Sequence, residues 1–287
     1  MIKILVTGAD GQLGRCIKDK ASEFAECDIF YASREDLDIE NNSKVVEFFR
    51  NHSFDYCINA AAYTNVEKAE SQSDAAFSAN AEAVKYLSEA CKKSKTVLVH
   101  ISTDYVFDGK KGKPYIETDP TNPINAYGAS KLKGEQYIET ICDKYFIFRT
   151  SWLYSQYGHN FLNTILRFAR EGKPLTITTE QVGTPTNAND LAKLLLRVIT
   201  SRSANYGLYH FSNNGEATWY DFARAILENT QQLETTKLAK TDHYRTFAAR
   251  PKYSVLDTNK VEKTFRINMV NWHNCLQQLL NSRNLRL

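Results

Sequence analysis

The chain opens MIKILVTGADGQLG, a short β-branched run that halts at a glycine and passes through GxxGxxG into a helix-like stretch. Few features restrict a fold more. A strand, three spaced glycines and a helix form the layout by which an open parallel sheet brings backbone up to a pyrophosphate. Gly8 allows the tight turn, Gly11 removes a side chain that would strike a dinucleotide, and Gly14 lets helix and strand approach closely. The helix N-terminus then faces the phosphates. Asp10, Gln12 and Leu13 of the same loop join the expected cofactor contacts.

The strand-helix unit recurs along the chain. Short apolar runs at residues 27–32, 56–60, 96–102 and 145–149 alternate with helical spacing at 12–26, 42–51, 74–93 and 127–142. That alternation predicts a Rossmann-like, doubly wound parallel sheet flanked by helices. Residues 108–125 interrupt it with Gly109, Gly112, Pro114, Pro120 and Pro123, a long loop that delivers Tyr127 into a helix. Beyond residue 150 the pattern is mixed. Helices are expected at 160–170, 190–199 (capped by Asn187 or Asn189), 218–229 (capped by Thr218), 259–265 and 272–280, with strands at 175–179 and 207–212. Residues 1–150 therefore read as a dinucleotide-binding domain. Residues 151–287 read mainly as a smaller, discontinuous α/β substrate domain, with about 180–205 returning to the first body and 247–256 reaching back over it.

The bulk composition narrows the function classes. With 36 basic and 33 acidic residues the net charge is only +3, which gives no support to a nucleic-acid or membrane-surface partner. No apolar run approaches the roughly 18 residues of a membrane span. The six cysteines form no CxxC pair and read as small buried side chains in a reducing compartment. A cytoplasmic protein acting on a small molecule is expected.

The end of the second strand bears on the cofactor. A site selective for NAD usually places an acid there to hold the ribose hydroxyls. Here the run is YASREDLDI, with Ser33 and Arg34 at the turn and Asp38 and Ile39 beyond, bordering the adenine. Arg34 reads either as the partner of a 2′-phosphate or as a surface arginine. The first reading favours NADPH, with NADH possible. Ala60, Ala61 and Ala62 end the third strand and face the same site.

Chemistry is expected from Thr103, Tyr127 and Lys131. A ketone reduction needs a hydride donor, a proton donor at the carbonyl oxygen, and a group to hold the charge developing there. Tyr127 and Lys131 lie four residues apart, on one face of a helix. The ammonium is expected to lower the phenol from its ordinary value and to reach the nicotinamide ribose. Thr103, just past a strand end, is placed to orient the carbonyl.

GADGQLG, Asn59-Ala60-Ala61, STDYVFDG and YGASK together resemble the extended short-chain dehydrogenase/reductase family. REDLDI, AAYTNVEKAE, NPINAYGASKLKGE, RTSWLY, GTPTNANDLA and RPKYSVLD extend the likeness over nearly the whole chain and point to its nucleotide-sugar 4-ketoreductases. The resemblance implies reduction of the 4-keto group of dTDP-4-dehydro-6-deoxy-L-mannose to dTDP-L-rhamnose. It implies Tyr127 as proton donor, Lys131 as its partner and Thr103 as the carbonyl-orienting residue. Asp104, Tyr105 and Trp152 would line the sugar, although Trp152 reads equally well as core, and Arg250 would meet the diphosphate. Some family members are dimers that hold magnesium through acidic residues on the first helix and after GTPT. Here Arg15 and Cys16 follow the glycine loop and Asn189 stands beside Asp190, so no metal is expected and a monomer or weak homodimer is.

Two rivals share these features. Nucleotide-sugar epimerases and dehydratases use the same loop and Tyr-Lys pair, but a dehydratase needs further acid and base groups, and Tyr105 follows Asp104 here where a glutamate would serve elimination. A non-catalytic dinucleotide-binding regulatory subunit could dispense with Thr103, Tyr127 or Lys131, and all three are present.

Overall fold

A computed structural model describes residues 1–242 and 246–282. Its centre is a six-stranded, all-parallel sheet. Strand β1 (Ile2–Thr7) pairs with β2 (Cys27–Ala32) on one side and β3 (Tyr56–Asn59) on the other. Strands β4 (Val97–Thr103) and β5 (Tyr145–Thr150) extend outward from β3. The chain thus reverses direction across the sheet at β1, and the crevice at the carboxyl ends of β1 and β3 is where such sheets bind ligands.

Helices cover both faces. Helix α1 (Gln12–Lys20) lies on one; α2 (Asn42–Asn51) lies on the other. The short helix α3 (Val66–Ser71) precedes a continuous run built of α4 (Ser73–Phe77), a π turn (Ser78–Glu82) and α5 (Ala83–Ser94). Helix α6 (Ala126–Ile141) packs beside α5, and a buried double contact of Arg149 on Glu135, 2.9 and 2.6 Å, ties β5 to α6. The expected first helix is shorter than its spacing suggests. It gives way to a 3-10 turn at Ala21–Glu23, because Phe24 leaves helical geometry to pack against the core.

The second half alternates with the first. After the two-residue strand β6 (Leu153–Tyr154) come α7 (Phe161–Arg170), β7 (Leu175–Thr178), β8 (Val182–Gly183) and β9 (Thr186–Asn187). Helix α8 (Ala188–Thr200), capped by Asn187, then packs on α1, and β10 (Gly207–His210) joins the main sheet beyond β5. A smaller lobe comprises β11 (Ala217–Thr218), α9 (Trp219–Asn229), β12 (Leu238–Thr241) and α11 (Trp272–Asn281), while α10 (Asn259–Phe265) packs Val261 and Phe265 on the core of the main sheet. Thr218 and Asp221 form a reciprocal capping box at the start of α9. Leu162, Ile165, Phe222, Ile226, Trp272 and Leu276 form the core shared by α7, α9 and α11. Residues 247–257 run back to the main body: Asn125 donates to the Ala249 carbonyl at 2.8 Å, and the Tyr115 N–H donates to the Val255 carbonyl at 2.9 Å.

Candidate active site

The glycine turn is shaped by the strand beside it. Gly8 has a φ of +66°, and a β-carbon there would come within 2.6 Å of the Ala61 nitrogen. Only glycine meets both conditions. The turn leads through exposed Gly11, whose backbone caps α1 without a side-chain bond and with no acid in the first turn. The unpaired N–H groups of that turn suit an anion. They border a cleft of about 510 Å³ lined by Gly8, Asp10, Gly11, Ser33, Arg34, Leu37, Asp38, Ile39, Glu40 and Ala60 to Ala62. The glycine cradle, the helix start and the switch point fit a dinucleotide.

Several of the expected cofactor residues sit differently. Gln12 directs its carboxamide to the Leu153 carbonyl (3.2 Å) and Asn160 (2.7 Å), so it joins the two halves of the chain. Leu13 is core, and Gly14 is buried beneath Gly8 and Ala9. Arg34 lines the cleft, but its guanidinium is bound to Glu40 at 2.8 Å, and Glu40 also accepts from Ser78 at 2.8 Å. Ser33 closes its own turn by donating its N–H and hydroxyl to Asp36.

The π turn also serves the cleft. It places Asn80 to clasp the backbone of Tyr63, accepting from the N–H at 2.9 Å and donating to the carbonyl at 3.0 Å. Tyr63 ends the segment that lines the first cleft, and Thr64 begins the lining of a second. The second cleft, about 670 Å³, is bounded by His159, Phe161, Phe168, Gln181, Trp219 and Arg250 among others.

The reacting groups converge at the carboxyl end of β4. The Thr103 hydroxyl caps the 3-10 turn Asp104–Val106 by accepting from the Tyr105 N–H at 3.2 Å. It also donates to Asp104 at 3.1 Å, and its presence draws the Tyr127 phenol down against the effect of burial. Asn125 caps α6 by accepting from the Gly128 N–H at 2.7 Å, which starts the helix one residue before Tyr127. The rings of Tyr105 and Tyr127 meet edge to face at 5.9 Å. Tyr105 in turn meets Arg250, whose other nitrogen is bound to Glu67 at 2.7 Å and whose Nε is buried without a partner.

The expected lowering of the Tyr127 phenol is corrected. Burial pushes the phenol above its ordinary value, Thr103 pulls against that, and the neighbours Asp104 and Tyr105 push it further up. Lys131 is buried one turn behind, with Nζ donating to the Ile101 carbonyl at 2.6 Å and lying 3.3 Å from His100 Nε2. Burial lowers its amine to about 8. Burial also raises the Asp104 carboxyl to about 7. A high phenol keeps its proton at neutral pH and must be helped to release it.

Trp152 is neither plain core nor a free wall. It holds a φ of +45° and stacks on Trp219, centroids 3.6 Å apart, while Trp219 Nε1 donates to Gln181 at 2.9 Å. Trp219, Gln181, Glu67 and His100 are not singled out by sequence reasoning. Their signal is only a tryptophan at a helix start, a glutamate inside AAYTNVEKAE, and a histidine inside an apolar strand. On the first helix and after GTPT, Arg15 lies over the Tyr157 ring and Asp190 accepts from Asn213 at 2.9 Å. Among the described residues no group of three or more His, Cys, Asp and Glu could hold an ion, and no helix is long and apolar enough to cross a membrane.

A parallel sheet with a glycine-cradled switch point, and a threonine and a tyrosine converging at the next strand end, define the class of dinucleotide-dependent oxidoreductases built on the short-chain dehydrogenase/reductase plan. Comparison with known proteins narrows the class. The family model RmlD substrate binding domain matches residues 2–284. A dTDP-4-dehydrorhamnose reductase of Aggregatibacter actinomycetemcomitans is 37% identical over 289 residues, covering 97% of this chain and 98% of that one. The crystal structure of a dTDP-4-dehydrorhamnose reductase from Clostridium acetobutylicum superposes with a TM-score of 0.92 at 39% identity, covering 98% and 99% of the two chains. That of the Bacillus anthracis dTDP-4-dehydrorhamnose reductase, solved in complex with NADP, gives 0.93 at 35%, with the same coverage. This chain belongs to the dTDP-4-dehydrorhamnose reductase family.

Proposed function

We propose that this chain reduces the 4-keto group of dTDP-4-dehydro-6-deoxy-L-mannose to give dTDP-L-rhamnose, using NADPH in preference to NADH. The observation that carries the reading is the convergence of Thr103, Tyr105 and Tyr127 at the carboxyl end of β4, with the rings of Tyr105 and Tyr127 edge to face at 5.9 Å. When bound there, the nicotinamide cofactor supplies the hydride for the sugar carbonyl carbon. Tyr127 gives its proton to the carbonyl oxygen, and Thr103 donates to the same oxygen and orients it. Lys131 supports the phenolate that Tyr127 leaves behind. One hydride and one proton convert the ketone to the alcohol, so no metal is required.

Arg250, which lines the second cleft, is read as the diphosphate contact. Tyr105, Asp104 and Trp152 line the sugar. Asp10, Gly11 and the opening of α1 take the pyrophosphate, and Asp38 and Ile39 border the adenine. Arg34 takes the 2′-phosphate only in competition with Glu40, which keeps the preference for NADPH modest. Residues 1–150 with 180–205 form the cofactor body, and the remainder mainly holds the sugar nucleotide. The near-neutral charge and six unpaired cysteines support a cytoplasmic setting, and the absence of an acid in the first turn of α1 supports a monomer or weak homodimer.

The test is a panel of nucleotide 4-keto sugars with each cofactor. Stoichiometric NADPH oxidation with release of NADP+ supports simple reduction. Turnover without net NADPH consumption contradicts it and favours an epimerase.

A further inference from the structure

Arg250 reaches the second cleft from a segment that is held on both sides, and the two holds differ. Downstream the backbone holds itself. The Val182 N–H donates to the Lys252 carbonyl at 2.8 Å, and the Ser254 N–H donates to the Val182 carbonyl at 2.9 Å. Lys252 also packs on Gly109, where a β-carbon would come within 2.6 Å of the Lys252 nitrogen. Upstream the hold comes from Glu67 of α3. One of its oxygens accepts from the Phe247 N–H at 2.8 Å and the Ala248 N–H at 3.2 Å. The other accepts from Arg250 Nη2 at 2.7 Å. The side chain of Phe247 contributes little to this hold, since the residue is 75% exposed.

Helix α3 is itself anchored. Glu70, one turn beyond Glu67, accepts from the Ala126 N–H at 2.7 Å, and Asn125 donates to the Ala249 carbonyl at 2.8 Å. These bonds close a circuit. It runs from α3 to residues 247–250, from there to the start of α6 beside Tyr127, and back to α3. Within it the Glu67 carboxylate has a task that few groups can perform. Its two oxygens accept on two sides, and the guanidinium and backbone N–H groups they meet can only donate. A carboxamide of the same shape has one acceptor and must turn its NH2 toward donors on the other side. Burial tends to raise the Glu67 carboxyl, but Arg250 and the two N–H groups outweigh it and hold the group below its ordinary value.

We infer that Glu67 is a positioning residue: it clamps residues 247–250 onto α3 and sets the Arg250 guanidinium at the edge of the second cleft, ready for a diphosphate. Released from Glu67, the long arginine side chain would have to be ordered again at each binding event, at a cost in affinity. The charge of Glu67 acts in the opposite direction from its position. A carboxylate near a diphosphate repels it, so removing the charge alone would tighten binding. Glu67→Gln keeps the shape, loses the charge and breaks one side of the clamp, so the two effects differ in sign.

The clamp stands on these contacts alone, whereas the ligand it serves rests on the proposed reductase reading. Calorimetric titration with dTDP is the first test. The dissociation constant should rise about tenfold in Glu67→Gln, the scale of a lost charge-assisted hydrogen bond, while NADPH affinity stays unchanged. In steady-state kinetics KM for the nucleotide sugar should rise with kcat little altered. In an Arg250→Ala background Glu67→Gln should add almost nothing, because the residue acts through the arginine. On the free protein, amide hydrogen exchange at Phe247 and Ala248 should quicken in Glu67→Ala. Unchanged exchange in that variant, dTDP binding that is unchanged or tighter in Glu67→Gln, or an equal loss with and without Arg250 overturns the inference. Quickened exchange in a protein that binds no dTDP keeps the clamp and removes the reductase reading instead.

Discussion

Gly128 packs directly against the carbonyl oxygen of Tyr105, and a β-carbon at position 128 would fall well inside that atom. Helix α6 can approach the turn after β4 this closely because the residue next to Tyr127 has no side chain. The closeness is what sets the Tyr127 ring against that of Tyr105 in the turn that follows Thr103. Gly128→Ala should push the helix outward, with a stability loss of about 1–3 kcal/mol by overpacking. Turnover should fall by about tenfold or more through misplacement of the phenol. Denaturant unfolding and steady-state kinetics measure the two effects, and NADPH affinity should change much less than kcat.

Arg34 and Glu40 form a second informative pair. Arg34→Ala should weaken NADPH binding far more than NADH binding. Glu40→Gln frees the guanidinium and should strengthen NADPH binding several-fold, on the scale of a charge-assisted contact. Fluorescence titration of both cofactors against both variants decides this; equal losses for NADH and NADPH in Arg34→Ala would remove Arg34 from phosphate recognition.

Arg250 should act on substrate rather than on chemistry. Its Nη2 is held by Glu67 and its Nη1 lies 3.5 Å from the Tyr105 hydroxyl, so the guanidinium is fixed at the edge of the second cleft with donors to spare. Arg250→Lys keeps charge but loses the planar fork, and KM for the nucleotide sugar should rise about tenfold with kcat little changed. A fall in kcat at constant KM would place the residue elsewhere in the reaction.

Asp104 predicts a pH dependence of stability. Burial raises its carboxyl to about 7 in the folded protein, against an ordinary value of 3.8. Between those two pH values the folded protein binds a proton that the unfolded chain has released. Its contribution therefore falls as pH rises across that window and is level above about 7. Between pH 5 and 7, urea unfolding should show the wild-type protein losing on the order of 2 kcal/mol relative to Asp104→Asn.

Much of this arrangement is legible in the sequence because it is local. The β1–glycine–α1 unit, α2 at residues 42–51 and α10 at 259–265 arise from spacing and short-range signals, and Asn187 and Thr218 cap the helices they precede. Within α2, Val45 and Phe49 are buried while Val46 is exposed, since the inward stripe keeps the i, i+4 spacing. Other features arise only from tertiary contact. The spacing predicts one helix through residues 74–93, but the π turn at Ser78–Glu82 has no evident composition signal; it is seen once Asn80 is found clasping Tyr63. The i, i+4 spacing places Tyr127 and Lys131 on one face but does not say where the amine points. Ile101 and His100 decide that from the neighbouring strand. The stack of Trp152 on Trp219 joins residues far apart in the chain and is equally hidden.

The central claim is that the Tyr127 phenol delivers the proton to the sugar carbonyl. Pre-steady-state turnover of Tyr127→Phe with the dTDP-4-keto sugar, alongside its NADPH dissociation constant, tests this most directly. The account predicts a loss of about 10²-fold or more in the reduction step, the scale of general acid catalysis, with cofactor binding nearly unchanged. A reduction step as fast as that of the wild-type protein would contradict it.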